Sequence, residues 1–428
     1  MTTSPRLAAD APKHPGPRPR RESPYLSEAG RKVRDAVSEI VPMLREQAVE
    51  SDELGALTPE MLRALDSAGV FRLAAPAELG GLAGGARDTV EVIAEISRGD
   101  GSAGWVAFIG GRSRTLAGFP QPAVDEVFAR ASEWVGPLVA GASTFAGKVG
   151  SAYKVPGGWM AQGTWHFASA CKHAAWATAG VEVDEAGHSG RGMVLLTRDQ
   201  FTILDNWHVM GMAGSSSNSI ATESEVFVPD HRFIDMAELP ALMKMLRDRY
   251  EAATFRGHGG MLITTVSNIA IALGMARGAL ECFAEQAKAR APFNLPYPTV
   301  AEMPSAQVAA GRARAMINAA TSVILGHADE LDRRALADEP YAPGEETQAT
   351  MDLVYGAHLC AKAIDLMQNT LGSSTVSLKN PIQRYVRDVR VLTTHGAIRF
   401  DPMAEINGRD VFGLEPISLF GAGLPKVA

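Results

Sequence analysis

Apolar and polar positions along the chain change period twice. From about residue 28 to 130 apolar side chains recur at three- and four-residue spacing. The stretch "ARDTVEVIAEIS" puts Val90, Ile93, Ala94 and Ser97 on one helical face. A shorter helix over Glu60–Ala68 is opened by Thr58-Pro59, an N-cap followed by a residue suited to the first turn. From about 135 to 235 the pattern becomes alternating or β-branched, in "AAWATAGVEV", "GMVLLTRDQFTIL" and "ATESEVFVP", each bounded by Gly, Pro or Asp. From about 240 onward helical spacing returns. "GMARGALECFAEQAKARA", "SAQVAAGRARAMINAATSVILGHADELDRRA", "TQATMDLVYGAHLCAKAIDLMQNTL" and the segment from Arg384 read as long helices that imply a bundle.

The expected architecture is therefore α+β and multidomain. A helical domain over 28–134 precedes a compact, mainly antiparallel β domain over 135–238, and a helical bundle over 239–428 follows. Residues 1–27, rich in Pro and Arg, read as a disordered tail. The apolar run "MLITTVSNIAIALGMA" is short for a bilayer and interrupted by Thr264, Thr265, Ser267 and Asn268, so a buried helix is expected there.

Composition narrows the function. With 46% hydrophobic and 21% charged residues the chain is globular, and a net charge of −7 gives no basic field to recruit nucleic acid. Three scattered cysteines suit a reducing compartment, and no hydrophobic region follows Arg20-Arg21, so a cytoplasmic protein without membrane segments is expected. Motifs for several chemistries fail. "ELGGLAGGARD" lacks the glycine order of a dinucleotide fingerprint. Glu185 and His188 lie in a turn with no second copy of their spacing, and Ser151 and Lys154 match S-x-x-K without its companion motifs. No metal site is expected.

What remains is "GTWHFASACKHAAW", residues 163–176. Core packing would explain it, yet Trp165 and Phe167 could also pack on a planar ring while the Ser169 hydroxyl bonds a ring nitrogen. The helical segment "RYVRDVRVLTTHGAIRF" ends at His395-Gly396. A C-terminal cap, with Gly396 left-handed, would account for that ending.

These segments, with "WHVMGMAGSSSNSIATESEVFVP" and in this order, resemble the acyl-CoA dehydrogenase fold from residue 28 onward. More narrowly they resemble the two-component flavin monooxygenases built on it, such as the oxygenase component of p-hydroxyphenylacetate hydroxylase. The resemblance implies a C-terminal four-helix bundle and a homotetramer or dimer. Acyl-CoA dehydrogenases commonly carry a glutamate base where this chain reads "TTHGAIRF", which has no carboxylate before Asp401. In the monooxygenase branch a histidine there faces the substrate.

The resemblance further implies reduced FMN, or FADH2, delivered by a separate flavin reductase. With O2 as cosubstrate this gives a C4a-hydroperoxide that hydroxylates an aromatic molecule, phenolic or polyketide-like. His395 would accept the phenolic proton or bond the phenolate. Ser169 would bond flavin N5 beside a wall of Trp165 and Phe167, and Ser143 would touch substrate. Ser215 and Ser216 would lie near the flavin. Arg290 and Phe293 match the R-x-x-F element associated with its phosphates. Gln368, Gly372, Ser373 and Ser374 occupy the place of a loop that contacts a neighbouring subunit's cofactor. Relatives often carry Arg where this chain has Ala213. Rival expectations are an N-oxygenase of an amine or amino sugar, an acyl-CoA dehydrogenase-like enzyme, and a non-catalytic scaffold.

Overall fold

The computed structural model describes residues 22–129, 131–142, 149–183, 190–255, 258–342, 344–415 and 417. Six helices come first: α1 (Glu28–Leu54), α2 (Pro59–Ser67), α3 (Ala86–Gly99), α4 (Gly101–Gly110), α5 (Ser113–Leu116) and α6 (Gln121–Phe128). Each start has a local cause. The Ser27 hydroxyl accepts from Gly30 N–H at α1 and the Thr58 hydroxyl from Met61 N–H at α2. Val90, Ile93, Ala94 and Ser97 of α3 are all buried, as their spacing requires. The ordered chain begins before residue 28: Leu26 is buried, and the Ser23 hydroxyl donates to Asp329 of a distant helix at 2.7 Å. Composition assigns these residues to the tail, but the buried leucine, the Ser23 bond and two bonds from Ser27 to Asp88, each of 2.8 Å, hold residues 22–27.

Strands β1 (Val139–Ala142), β2 (Gly150–Val155), β3 (Gly158–Gln162), β4 (Thr164–Trp165), β5 (Trp176–Val183), β6 (Arg191–Thr197), β7 (Thr202–Ile203), β8 (Ile220–Ala221), β9 (Val226–Pro229) and β10 (Phe233–Asp235) form two sheets. The larger runs β10-β6-β5-β2-β3-β9, and the smaller runs β4-β8-β7. Both β1 and β2 pair parallel to β5, one opposite Trp176–Ala179 and the other opposite Val181–Val183. The module is thus mixed rather than antiparallel throughout.

The C-terminal helices are α7 (Leu239–Arg249), α8 (Gly260–Ala289), α9 (Pro304–Ala337), α10 (Glu345–Leu371), α11 (Pro381–Thr393) and α12 (Phe400–Val411). Two segments read separately in the sequence, around Ile269 and around Ala279, are one helix, α8. Among the described residues it alone is long and apolar enough to cross a membrane, and most of it is buried inside the protein. It packs on α3, α9, α10 and α11. One hydrophobic core runs from Val33 and Val90 of the N-terminal helices through Ile269 to Leu353 and Met403, whereas the sheets enclose a separate core around Trp159, Trp165 and Val194.

A buried charge cluster ties these bodies together. Asp388 of α11 accepts from the N–H of Met212, in the loop between β7 and β8, at 2.7 Å. Arg384, one turn earlier, places Nε 3.6 Å from Asp100, the N-cap of α4. Arg387 pairs with Asp52 of α1 at 2.9 Å, and Arg390 with Asp365. The i,i+4 spacing favours Arg384 with Asp388, but both face inward, and tertiary partners on other elements take them. Burial, with Asp100 and Asp52 close by, pushes the Asp388 carboxyl up to about 7, and burial pushes Asp100 up to about 6.

Native Asp388 keeps its proton to higher pH than the unfolded chain does. Its contribution to stability is therefore present at low pH and is lost as pH rises from about 4 to about 7. Asp388→Asn keeps an acceptor for Met212 N–H and cannot ionise. Its melting temperature should gain on the wild type steadily between pH 5 and 7.5; a difference constant across that range would refute the assignment. Asp388→Ala leaves a buried N–H unpaired and should cost about 1–3 kcal/mol.

Candidate active site

Two loops of the β domain form one unit. Ala168 N–H donates to Asn218 O, Ala170 N–H to Ser215 O, and Cys171 Sγ–H to Ser216 O. The non-glycine residues with left-handed backbone are concentrated here: Phe167 (φ 56°), Ala170 (φ 62°), Met212 (φ 59°) and Ser216 (φ 43°). Such residues persist only where surrounding contacts over-determine them, and they cluster at functional sites. Gly214 allows the loop to lie against the helices, since a Cβ there would sit 2.2 Å from Ser51 Oγ.

Within this unit the hydroxyls of Ser169, Ser217 and Ser215 form a chain, with 2.8 Å between successive oxygens. Three hydroxyl protons serve two internal bonds, so the chain retains one proton and spare lone pairs for a ligand. Ser216 Oγ and Asn218 Oδ1 are buried with no hydrogen-bond partner among the described residues. Phe167 is 67% exposed, its ring edge-on to Trp207 at 6.0 Å. A cavity of about 690 Å³ flanks this surface, with Trp207, Lys172, Asp52, Ala213 and Asn218 among its walls. The walls do not include His395 or Ser169.

Trp165 is not a wall. It is fully buried in the sheet core and donates Nε1–H to Gly180 O at 2.7 Å. The left-handed turn at Phe167 follows directly after β4 and leaves Phe167 outside while Trp165 stays in. His173 also serves the framework. Its Nε2 accepts from Leu57 N–H at 3.0 Å, and burial lowers its pKa to about 4.

His395 does not cap α11, and Gly396 is not left-handed. Thr394 ends the helix, and His395 opens the next turn, Gly396–Ile398, with Nδ1 accepting from Ala397 N–H at 3.3 Å. That acceptor role assigns the neutral tautomer with its proton on Nε2. The ring lies edge-on to Trp105 of α4 at 5.4 Å, and Phe108 meets Trp105 at 5.3 Å. Trp105 Nε1 is buried and unpartnered among the described residues. Burial within the surrounding protein lowers the His395 pKa. Solvent still reaches the residue, so the imidazolium is disfavoured rather than abolished.

A third group lies after α8. Arg290 donates to the Ser374 hydroxyl, joining two expected phosphate-side segments, and its Nη1 is buried without a partner among the described residues. Phe293 is 89% exposed, Gly372 is left-handed, and Gly372, Ser373 and Ser374 are all exposed. Gln368 contributes its carbonyl to Gly372 N–H. Ser143 lies outside the described residues. Sequence reasoning missed Trp105 and Phe108; apolar aromatics on a helix carry no signal apart from core packing.

Two family models match the chain, the N-terminal domain of acyl-CoA dehydrogenases over residues 27–118 and their C-terminal domain over 267–400. A pigment production hydroxylase of Rhodococcus sp. is 30% identical over 90% of this chain and 97% of its own length. The oxygenase component of an FADH2-dependent resorcinol hydroxylase from Rhizobium sp. is 25% identical, over 94% and 97%. The structure of XiaF from Streptomyces sp., in complex with FADH2 and glycerol, superposes with a TM-score of 0.83 at 25% identity, covering 91% of this chain and 97% of that one. The fold and the paired loops thus define an oxidoreductase of the acyl-CoA dehydrogenase fold. Within that class the chain belongs to the flavin-dependent monooxygenases.

The residues present fit a flavin. An exposed aromatic ring, a hydroxyl chain with spare capacity and a buried, unpartnered guanidinium nitrogen are all available. Removing either aromatic should separate wall from core. Trp165→Ala should cost about 3–5 kcal/mol of stability. Phe167→Ala should change stability by about 0.5 kcal/mol or less while weakening reduced-flavin binding severalfold in anaerobic fluorescence titration. Equal stability losses would show both to be core residues.

Proposed function

We propose that the protein is the oxygenase component of a two-component system that hydroxylates a phenolic small molecule. A separate reductase supplies reduced FMN or FADH2, and O2 is the cosubstrate. The carrying observation is His395, a neutral donor beside the Trp105–Phe108 shelf where the related dehydrogenases use a carboxylate base. A bound reduced flavin supplies the two electrons by which one oxygen atom of O2 becomes water while the other enters the aromatic ring as a hydroxyl.

The chain's own residues do the rest. Ser169, at the end of the Ser215–Ser217 hydroxyl chain, gives or accepts a hydrogen bond at the flavin ring, and Phe167 covers that ring from water. The phenol gives its proton to water, and His395 Nε2–H then donates to the phenolate oxygen, which makes the ring more nucleophilic. The tautomer favours this role over removal of the phenolic proton. Ser143 is assigned to substrate contact, and Arg290, Ser373 and Ser374 to the flavin phosphates with Gln368 and Gly372 shaping the loop. The exposed Phe293, Val376 and Leu378 support assembly as a homodimer or homotetramer. The same reading takes α8 to α11 as a four-helix bundle, 28–134, 135–238 and 239–428 as the working units, and the cytoplasm as the location.

The deciding experiment mixes the anaerobic protein and reduced FMN with oxygenated buffer in a stopped-flow spectrometer. Flavin reoxidation should pass through a persistent species, absent for free flavin, and Ser169→Ala should shorten its life and raise hydrogen peroxide release. Reoxidation at the rate of free flavin would remove the oxygenase reading. With a turned-over phenol, His395→Ala should lose about 10²–10³-fold in hydroxylation. His395→Gln, which keeps a donor, should recover part of that loss. Amine oxidation would be little changed by either variant, and such a result would favour the N-oxygenase.

A further inference from the structure

Arg112 follows α4 closely, in the turn after Gly110 and seven residues beyond Trp105, with Phe108 between them in the chain. Its guanidinium lies against Gly141 of β1, where a Cβ would sit 2.5 Å from Nη1 and 3.0 Å from Cζ. Gly141 forms an isolated bridge with Ser169, so the cation reaches the strand that faces the hydroxyl chain. No hydrogen bond or ion pair to its side chain occurs among the described residues. The segment "GSAGWVAFIGGRSRTLAGFPQPAV" that surrounds it has no acid between Asp100 and Asp125. Burial lowers its pKa, and no carboxylate offsets that effect. Its neighbour Arg114 differs, since it donates to Thr254 O and lies over the Phe255 ring at 4.9 Å.

A guanidinium left half-buried and unpaired is costly unless an anion completes it, and its planar fork suits a carboxylate. Five residues of α4 and the first two of the turn after it carry the chain from Trp105 to Arg112, roughly 10 Å at helical rise. His395 marks the Trp105 end, and the half-buried Phe108 ring fills the middle.

We propose that Arg112 binds a carboxylate of the substrate, which is therefore an aromatic hydroxy acid lying along α4. Its hydroxyl is at His395, its ring is on Phe108 and its anionic end is at Arg112. This assignment rests on the phenol-hydroxylase reading and names the substrate class for that site.

The test compares 3-(4-hydroxyphenyl)propanoate with its primary amide by anaerobic equilibrium dialysis against the full chain, with and without reduced FMN. The wild type should bind the acid roughly tenfold or more tightly than the amide, the range expected for a charged hydrogen bond. Arg112→Met should abolish that preference and Arg112→Lys should keep part of it. Equal affinities for acid and amide, a preference that survives in Arg112→Met, or no binding of the acid would each overturn the proposal. Should the Met variant fail to fold, the wild-type comparison and the Lys variant still decide. Reduced-FMN binding to the wild type, read in the same cells, tests the flavin reading separately: its failure there sinks that reading, while the acid–amide comparison without flavin still judges Arg112.

Discussion

The hydrogen bond from Met212 N–H to Asp388 is the contact on which the site's geometry depends. It fixes a left-handed residue at the start of the 212–219 loop, and that loop in turn receives the backbone of residues 168–171. Together with the bond from Arg387 Nη1 to Met210 O and the packing of Gly214 on Ser51 and Ser102, it fixes the hydroxyls of Ser215 and Ser217 relative to the helices. The acceptor is itself constrained. Asp388 Oδ2 is buried and unpartnered, near Asp100 and Arg384, so the carboxyl retains a proton toward neutrality. A protonated carboxyl can still accept at its carbonyl oxygen, and the loop stays held whether or not the proton is present.

That contact crosses the principal seam of the molecule. The first and last helical segments share one hydrophobic core although some 150 residues separate them, and the sheets keep a core of their own. The flavin-side hydroxyls belong to the sheet body, and His395 and Trp105 belong to the helical body. A site divided in this way needs a rigid joint, because an error of about 1 Å between nucleophile and oxygen donor is costly. The bonds from Met212 N–H to Asp388 and from Arg387 Nη1 to Met210 O supply that joint, and α11 is itself braced by two ion pairs, Arg384 with Asp100 and Arg387 with Asp52. They meet α4 and the end of α1, the two helices the loop also touches.

Helix order and the change of period in the middle of the chain were legible in the sequence because burial there follows repeating spacing. What spacing could not show was where regularity breaks. Trp165 and Phe167 are two residues apart and would share a face in a continuing strand, but the strand ends at Trp165 and Phe167 turns left-handed. The larger ring therefore belongs to the core and the smaller one to the surface, which residue type alone inverts. The helical i,i+4 rule likewise names Asp388 for Arg384, since it knows nothing of Asp100, 284 residues earlier. His395 stands out in the sequence because a carboxylate is missing from its neighbourhood. Arg112 carried a comparable signal in its acid-free surroundings, but a single arginine in an apolar run gives no reason to look until Gly141 is seen to make room for it.

Replacing a carboxylate base by a neutral imidazole changes the sign of what the corner can do. A carboxylate withdraws a proton from the substrate carbon and raises negative charge on the protein. An imidazole whose Nδ1 is already occupied by Ala397 N–H presents only Nε2–H, and so it rewards negative charge on the substrate. The proposed Arg112 contact would reward it again, from the turn that follows α4. His395 Nε2, the buried Trp105 Nε1 and the Arg112 guanidinium, which lies against Gly141, are all donors in these protonation states. A shelf of donors around aromatic rings suits an electron-rich, anionic ring as the acceptor of an electrophilic oxygen, and it offers nothing to draw a proton from carbon. On the proposed roles of His395 and Arg112, the missing carboxylate and the unpaired cation would both favour oxygenation over desaturation.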